Sequence, residues 1–432
     1  MALETAVVTL AAPQNSPYTD DFIISNSGSW DQAIIFATEG DIGGFNNAGE
    51  AGIFSIGFFD GSNQYCSQIA NQRGVAASAN QAKNSIWQDY CLNMKYNGSG
   101  DRRFGSIEAI TDGFRITYSG DSLDEQCSVS VILIRGAVGA VCGFVNPATG
   151  SPFTITENVS GITPNFLIGI SNRPTSLDTT LSIATMGIGF AAQEGSIVTN
   201  RGVAWRASES DPSDVKPHTS STYIGGYANG AGDLRPEIYI SAFNSGSFDI
   251  TNNGTLTDSS SVMYFAFELN EQVHLFHETV PTSAGDWTPG SPSFIPGSIF
   301  LAGSMADNIN TNIGGSLPES LAIYFADDAG YEAGMTLIVE DGISGASTIQ
   351  TDAQLDTEFN LSSMSGGTDS EDFKADNPTF DSAGVTFPSA SINPSGGTRY
   401  IIGAIIEQAA AGGTPASGAM MKMMQEGHLR YG

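Results

Sequence analysis

Positive charge is the scarcest ingredient of this 432-residue chain. Sixteen lysines and arginines stand against 46 aspartates and glutamates, and no lysine or arginine occurs between Arg235 and Lys374. The net charge of −30 repels phosphate backbones and anionic headgroups, which argues against nucleic-acid binding and against adsorption to membranes. Such a surface is a solubility device, or it meets a basic partner or divalent cations. Long apolar runs are also missing. Nothing approaches the roughly 18–20 residues that a spanning helix needs, and the start, MALETAVVTLAAP, has no basic n-region. The expectation is a chain made in the cytoplasm and not inserted in a membrane.

Reactive side chains are few. The four cysteines, Cys66, Cys91, Cys127 and Cys142, lie in the first third and form no C-x-x-C pair. A disulfide scaffold would spread them through the chain, so they read as buried free thiols. The four histidines are His218, His274, His277 and His428. His274 and His277, three apart on a strand, point to opposite faces and make a poor metal pair. Ser–His–Asp chemistry has little to build on, and neither an EF-hand nor a P-loop is written in the chain. Acidic pairs such as Asp327-Asp328, Glu340-Asp341 and Asp369 to Asp372 sit beside turns. Asp101 and Asp233, in matching Gly-rich turns, read as caps of those turns rather than as Ca²⁺ ligands. The expectation is a protein without enzymatic activity, metal or cofactor.

Glycine is plentiful, at 51 residues, while charged residues make up only 14%. That suits short strands joined by polar turns rather than a helical bundle. One strand recurs. GIFSIGFFDG at Gly52–Gly61 is matched by TMGIGFAAQEG at Thr185–Gly195 and by SLAIYFADDAG at Ser320–Gly330, a period of about 135 residues. Neighbouring blocks follow in the same order. Ser27–Phe36 matches Ser160–Ile170, and Asn71–Ser78 matches Asn200–Ser208. Tyr96–Arg103 matches Tyr227–Arg235. The Asp112-Gly113 hairpin matches Phe243–Ile250, and Cys127–Arg135 matches Val262–Leu269. The third copy keeps Ser291–Leu301, Phe380–Phe387 and Arg399–Ile406, and replaces the glycine of the recurring strand with Tyr324. That copy, with Asp327-Asp328 at its turn, is where a unit-specific contact is most worth seeking. Cys127–Arg135, CSVSVILIR, is nearly continuous in apolar residues and is expected to be buried on both faces.

The fold expected is therefore all-β: three tandem antiparallel β-sandwiches, jelly-roll-like, over 1–136, 137–270 and 271–407. Residues 408–432 form a small-residue linker and a short helical peptide. Its Met420, Met421, Met423 and Met424, with Leu429 and Tyr431, offer an adaptable apolar surface for docking to a neighbouring subunit. Trp205 reads as core. Trp87 and Trp287 lie in polar, loop-like surroundings and are the tryptophans to consider as ligand contacts.

The blocks ITPNFL at Ile162–Leu167, MGIGF at Met186–Phe190 and DGF at Asp112–Phe114 resemble blocks in structural proteins of tailed bacteriophages, which carry tandem β-sandwich units. The resemblance spans about Thr5 to Glu407. It implies a non-enzymatic virion component on the tail or outer capsid, made in the host cytoplasm. Its partners would be other virion proteins and itself, as a homo-oligomer. The alternative expectation is a carbohydrate-binding adhesin or receptor-binding fibre protein that meets a host surface glycan.

Overall fold

The computed structural model describes residues 2–409, apart from 13–16, 40–50, 73–82, 96–101, 121–126, 147–152, 174–176, 182–183, 208–215, 229–233, 254–260, 306–318, 340–350, 366–367 and 393–398. The described residues form antiparallel sheets and contain no helix. The expected C-terminal peptide, with Met420, Met421, Met423, Met424, Leu429 and Tyr431, lies outside them. So do Asp101, Asp233 and Glu340-Asp341.

The first unit contains β1 (Glu4–Ala12), β2 (Tyr18–Ile23), β3 (Gln32–Glu39), β4 (Ala51–Phe59), β5 (Gln64–Gln72), β6 (Lys83–Gln88), β7 (Leu92–Lys95), β8 (Arg102–Ile110), β9 (Gly113–Gly120) and β10 (Cys127–Arg135). Its large sheet runs β1-β10-β3-β4-β5-β6, and its small sheet β2-β9-β8-β7. The second unit contains β11 (Gly139–Val145), β12 (Phe153–Asn158), β13 (Phe166–Asn172), β14 (Thr179–Leu181), β15 (Ala184–Glu194), β16 (Ile197–Ala207), β17 (Lys216–Ser220), β18 (Gly225–Ala228), β19 (Leu234–Asn244), β20 (Ser247–Asn252) and β21 (Ser261–Glu268). Its sheets are β11-β21-β13-β15-β16-β17 and β12-β20-β19-β18, so the order is the same. Strand β14 instead crosses over and extends the first unit's large sheet by pairing with β6.

The third unit contains β22 (Val273–Thr279), β23 (Gly285–Trp287), β24 (Pro296–Ser304), β25 (Glu319–Asp327), β26 (Glu332–Val339), β27 (Thr351–Asp356), β28 (Phe359–Ser365), β29 (Thr368–Ala375), β30 (Thr379–Asp381), β31 (Gly384–Ile392) and β32 (Tyr400–Glu407). It repeats the order in β22-β32-β24-β25-β26-β27 and β23-β31-β29-β28, with β30 added on β31.

Alternation along the strands of each large sheet sends side chains to two different cores. One face packs on the unit's own small sheet. In the first unit Ile35, Ile53, Val131 and Leu133 meet Phe114 and Ile116 there. The opposite faces of all three large sheets share one further core. Phe36, Phe58 and Ile132 lie in it together with Phe190 and Phe265 of the second unit and Ile323 and Ile402 of the third. Eight of the nine residues of β10 are buried, as the continuous apolar run of CSVSVILIR requires.

Each small sheet is tied to its large sheet by recurring polar contacts. A serine of the large sheet accepts the backbone N–H of the strand that enters the small sheet: Ser55 from Asn93, Ser171 from Gly226 and Ser320 from Ser362. A side chain on the strand after the recurring turn reaches a second backbone N–H: Gln64 that of Ile107 at 2.8 Å, Asn200 that of Ile240 at 2.9 Å and Glu332 that of Asn377 at 3.0 Å. These contacts correct one sequence match. Gly57 pairs with Cys66 and Gly189 with Gly202, so Asn200 stands where Gln64 does, seven residues before Asn71. The β15–β16 hairpin is longer than β4–β5, with Gly189 and its partner Gly202 further apart in the chain than Gly57 and Cys66, and this contributes to the offset.

The recurring glycine is where the entering strand comes closest. A Cβ on Gly57 would lie 1.7 Å from the Cys91 carbonyl oxygen, and one on Gly189 would lie 1.9 Å from that of Ile224. In the third unit the bare position has moved across the ladder to Gly334, opposite Tyr324, where a Cβ would lie 1.9 Å from the Glu358 oxygen. Tyr324 fills the space so released, fully buried, with its hydroxyl donating to Glu332 Oε2 at 2.8 Å. Gly57→Ala should therefore cost about 1–3 kcal/mol by overpacking, read as a lower midpoint in urea with an unchanged slope. An alanine tolerated without loss would mean that this approach is not tight.

Candidate functional site: the seams between units

The recurring strand ends in an acidic residue in all three units, and each of these carboxylates reaches the first strand of the next unit. Asp60 caps its own turn with Oδ1, accepting the N–H groups of Ser62 at 2.9 Å and Asn63 at 2.6 Å. Its Oδ2 accepts the N–H of Cys142 on β11 at 3.0 Å. Glu194 accepts the N–H of Leu275 on β22 at 2.7 Å with Oε1 and the Thr199 hydroxyl with Oε2. Asp327 accepts Ala329 N–H at 3.0 Å and Tyr331 N–H at 2.9 Å with Oδ1, and the Thr5 hydroxyl of β1 at 2.7 Å with Oδ2. The contacts run from first unit to second, second to third and third to first, as a pseudo-threefold ring requires.

The receiving strands explain the chemistry. β1, β11 and β22 are edge strands, each bonded on one side only, to β10, β21 and β32. An edge strand leaves every second N–H without a ladder partner. At the second and third units the carboxylate takes such an N–H from the edge strand, a charge-assisted bond stronger than a neutral one.

Each seam has its own further contacts. Between first and second units, Asn84 Nδ2 donates to Thr185 Oγ1 at 2.9 Å and Asn172 Nδ2 to Ser67 Oγ at 3.1 Å, all four side chains being buried. The rings of Phe58 and Phe265 lie 5.2 Å apart there. Between second and third units, His277 Nε2 and Thr219 Oγ1 are 2.8 Å apart, and the imidazole stacks on Tyr400. Burial, with the Arg201 charge nearby, holds His277 down to about 4. Its unfolded value is higher, so this contribution to stability is complete above pH 6.5 and is lost as pH falls toward 4. Between third and first units, Leu3 N–H donates to Glu271 Oε1 at 3.3 Å, beside the Thr5–Asp327 bond. At this end a small apolar cavity of about 20 Å³ is lined by equivalent residues of the three closing strands, Ile134, Phe267 and Ile406, together with Leu3, Phe166 and Phe300.

The remaining sequence candidates fall elsewhere. Trp287 is not on a loop. It lies on β23, 6% exposed, stacked on Phe387 and edge-on to Phe373 in the third unit's core. Trp87 is also on a strand, β6, half-buried at 5.0 Å from Phe104, and Phe104 in turn stacks on Tyr90 at 4.5 Å. Trp205 is fully buried in the shared core. All four cysteines are buried free thiols. His274 and His277 make separate contacts, His274 with Glu194 at 3.6 Å. Among the described residues no three His, Cys, Asp or Glu side chains come together as a metal site. The seam carboxylates are what the sequence reading missed as a set, although an acid stands at the same turn in all three copies of the recurring strand. Compared with protein-family models and with curated proteins, the chain has no match.

A core shared by three units couples them, so heating should give one cooperative transition and not three. Phe265→Ala, which empties the seam between first and second units, should lower the whole transition by about 3–5 kcal/mol. Calorimetry that resolved a second-unit transition shifting alone would contradict this.

Proposed function

We propose that this chain is a non-enzymatic structural component of a bacteriophage particle, tail-associated or part of the outer capsid, that works by subunit assembly. The three sheet pairs are read as diverged copies of one jelly-roll-like β-sandwich. The observation that carries the proposal is the shared core. The second apolar face of each large sheet packs against the other units and joins the three into one block. Such a block suits repeated contacts with other virion proteins and with further copies of itself. The phage resemblance of the MGIGF and DGF blocks supports the same reading, and the chain would then be made in the host cytoplasm and end in the virion. No cofactor enters the proposal. The C-terminal segment with Met420, Met421, Met423, Met424, Leu429 and Tyr431 is its docking peptide.

Mass spectrometry and imaging of purified particles should find the protein as a regular component. Deleting Gly418–Gly432 should block incorporation while leaving the thermal transition in place. Absence from purified particles, with the protein free in the host lysate, would end the proposal.

A second reading, binding of a host surface glycan, draws on the half-buried Trp87, Tyr90 and Phe104, since joined aromatic faces can stack on sugar rings. Trp87→Ala should abolish any signal on a glycan array. No binding by the wild type at high protein concentration would remove this reading.

A further inference from the structure

The three seam carboxylates are alike in connection and unlike in surroundings. Asp60 is partly exposed, and the Glu194 side chain keeps 30% of its surface in water. Asp327 is 2% exposed. Among the described residues no lysine or arginine pairs with it. Its two oxygens hold two backbone N–H groups and one hydroxyl, and the hydroxyl belongs to β1.

β11 and β22 follow directly in the chain on the units whose carboxylates they meet, whereas β1 is separated from the third unit by the whole of the first and second. It is held in its own unit by pairing with β10 and by Arg135, which donates to Glu4 and to the Ser27 carbonyl and lies over Trp30 at 4.5 Å. It is held to the rest of the ring by Asp327 at Thr5 and by Glu271 at Leu3. Glu271 is itself 8% exposed, and its Oε2 has no partner among the described residues.

We propose that Asp327 is a proton-controlled latch. With its carboxyl protonated it holds β1 in the pseudo-threefold ring, and with the carboxyl ionised the seam between third and first units loosens. The geometry supplies the reason. A neutral carboxyl in this site can give its Oδ2 proton to the Thr5 hydroxyl while Oδ1 keeps both N–H groups. An ionised one places a charge with no cation beside it, among the described residues, in a site cut off from water. Of the groups that bear on that charge, Asp328 on the same turn repels it, while the phenols of Tyr331 and of Tyr324 on β25 are held neutral by burial and offer no compensating charge. From the facing β1 comes Thr5, the neighbouring Glu4 being engaged with Arg135, and beside Leu3 stands Glu271, another acid.

Burial raises Asp327 from 3.8 to about 7, outweighing its hydrogen bonds to Thr5, Tyr331 and Ala329. A folded-state value above the unfolded one means that the unfolded chain ionises first. Stability from this group is therefore complete below about pH 4, falls as pH rises through about 7, and is flat above.

The test is hydrogen exchange of the full chain at pH 5 and pH 8, corrected for the intrinsic pH dependence of exchange. Protection of β1 amides should fall about tenfold or more between the two, while β11 holds its own and β22, which carries His277, does not fall. In Asp327→Asn the β1 protection should no longer change with pH. Wild-type β1 protection that is the same at both pH values, or a pH dependence that survives in Asp327→Asn, would overturn the latch. Should that variant fail to fold, the ¹³C carboxyl resonance of Asp327 in the wild type decides. A midpoint near 7 supports the latch, and a midpoint in the ordinary carboxylate range removes it.

Discussion

Each large sheet is apolar on both faces, and that is the constraint from which the rest follows. A sheet with one wet face can stand as half of a sandwich. A sheet whose second face carries Phe54, Ile56 and Phe58, or Met186, Ile188 and Phe190, cannot. Each fully buried side chain of this size is worth roughly 1.5–3 kcal/mol, so leaving one such face in water costs more than a domain's usual margin of stability. Three copies in one chain solve this by turning the second faces toward one another. The pseudo-threefold ring is thus a consequence of the strand pattern and needs no dedicated interface element.

Apolar faces alone would let the units slide. Register at the seams comes from polar groups that fit only one arrangement. The Asn84–Thr185 and Asn172–Ser67 pairs are buried, and a slip would leave their amides unsatisfied at about 1–3 kcal/mol each. The turn carboxylates act on the edges. By occupying an N–H of β11 and of β22, Asp60 and Glu194 close the sheet edge to other strands as well as aligning the next unit. Acidity that reads in the sequence as a diffuse surface property therefore has three specific uses inside the ring.

Much of the fold was legible. The period of about 135 residues, the recurring strand and the double burial of CSVSVILIR were all written as alternation and apolar density. The order of matching blocks anticipated a shared strand order. What could not be read was the partner of the second apolar face, because a strand buried on both sides looks the same whether its second neighbour is a helix, a sheet or another unit. The Asn71 match failed because a short similar string, NRGVA against NQRGV, competed with a hairpin of different length, and only the ladder decides register. Trp287 was misplaced because Gly285, Asp286 and Pro289 around it signal a turn. A three-residue strand within turn residues leaves no periodicity to detect.

The third unit shows how far the repeat tolerates change, and where it does not. Replacing the recurring glycine by Tyr324 is possible because bareness is needed at one point of the ladder and not on one strand, and Gly334 supplies it from across the pair. The same cannot be done for the acid at the turn. Its contact is made with another unit, so it keeps its place as Asp60, Glu194 and Asp327 while its surroundings differ. The seam that lacks covalent continuity is also the one whose carboxylate is most deeply buried. The His277 seam weakens as pH falls and the Asp327 seam as pH rises. The two titrations span nearly the same pH range with opposite sign, so the looser seam changes from that of His277 at low pH to that of Asp327 at high pH.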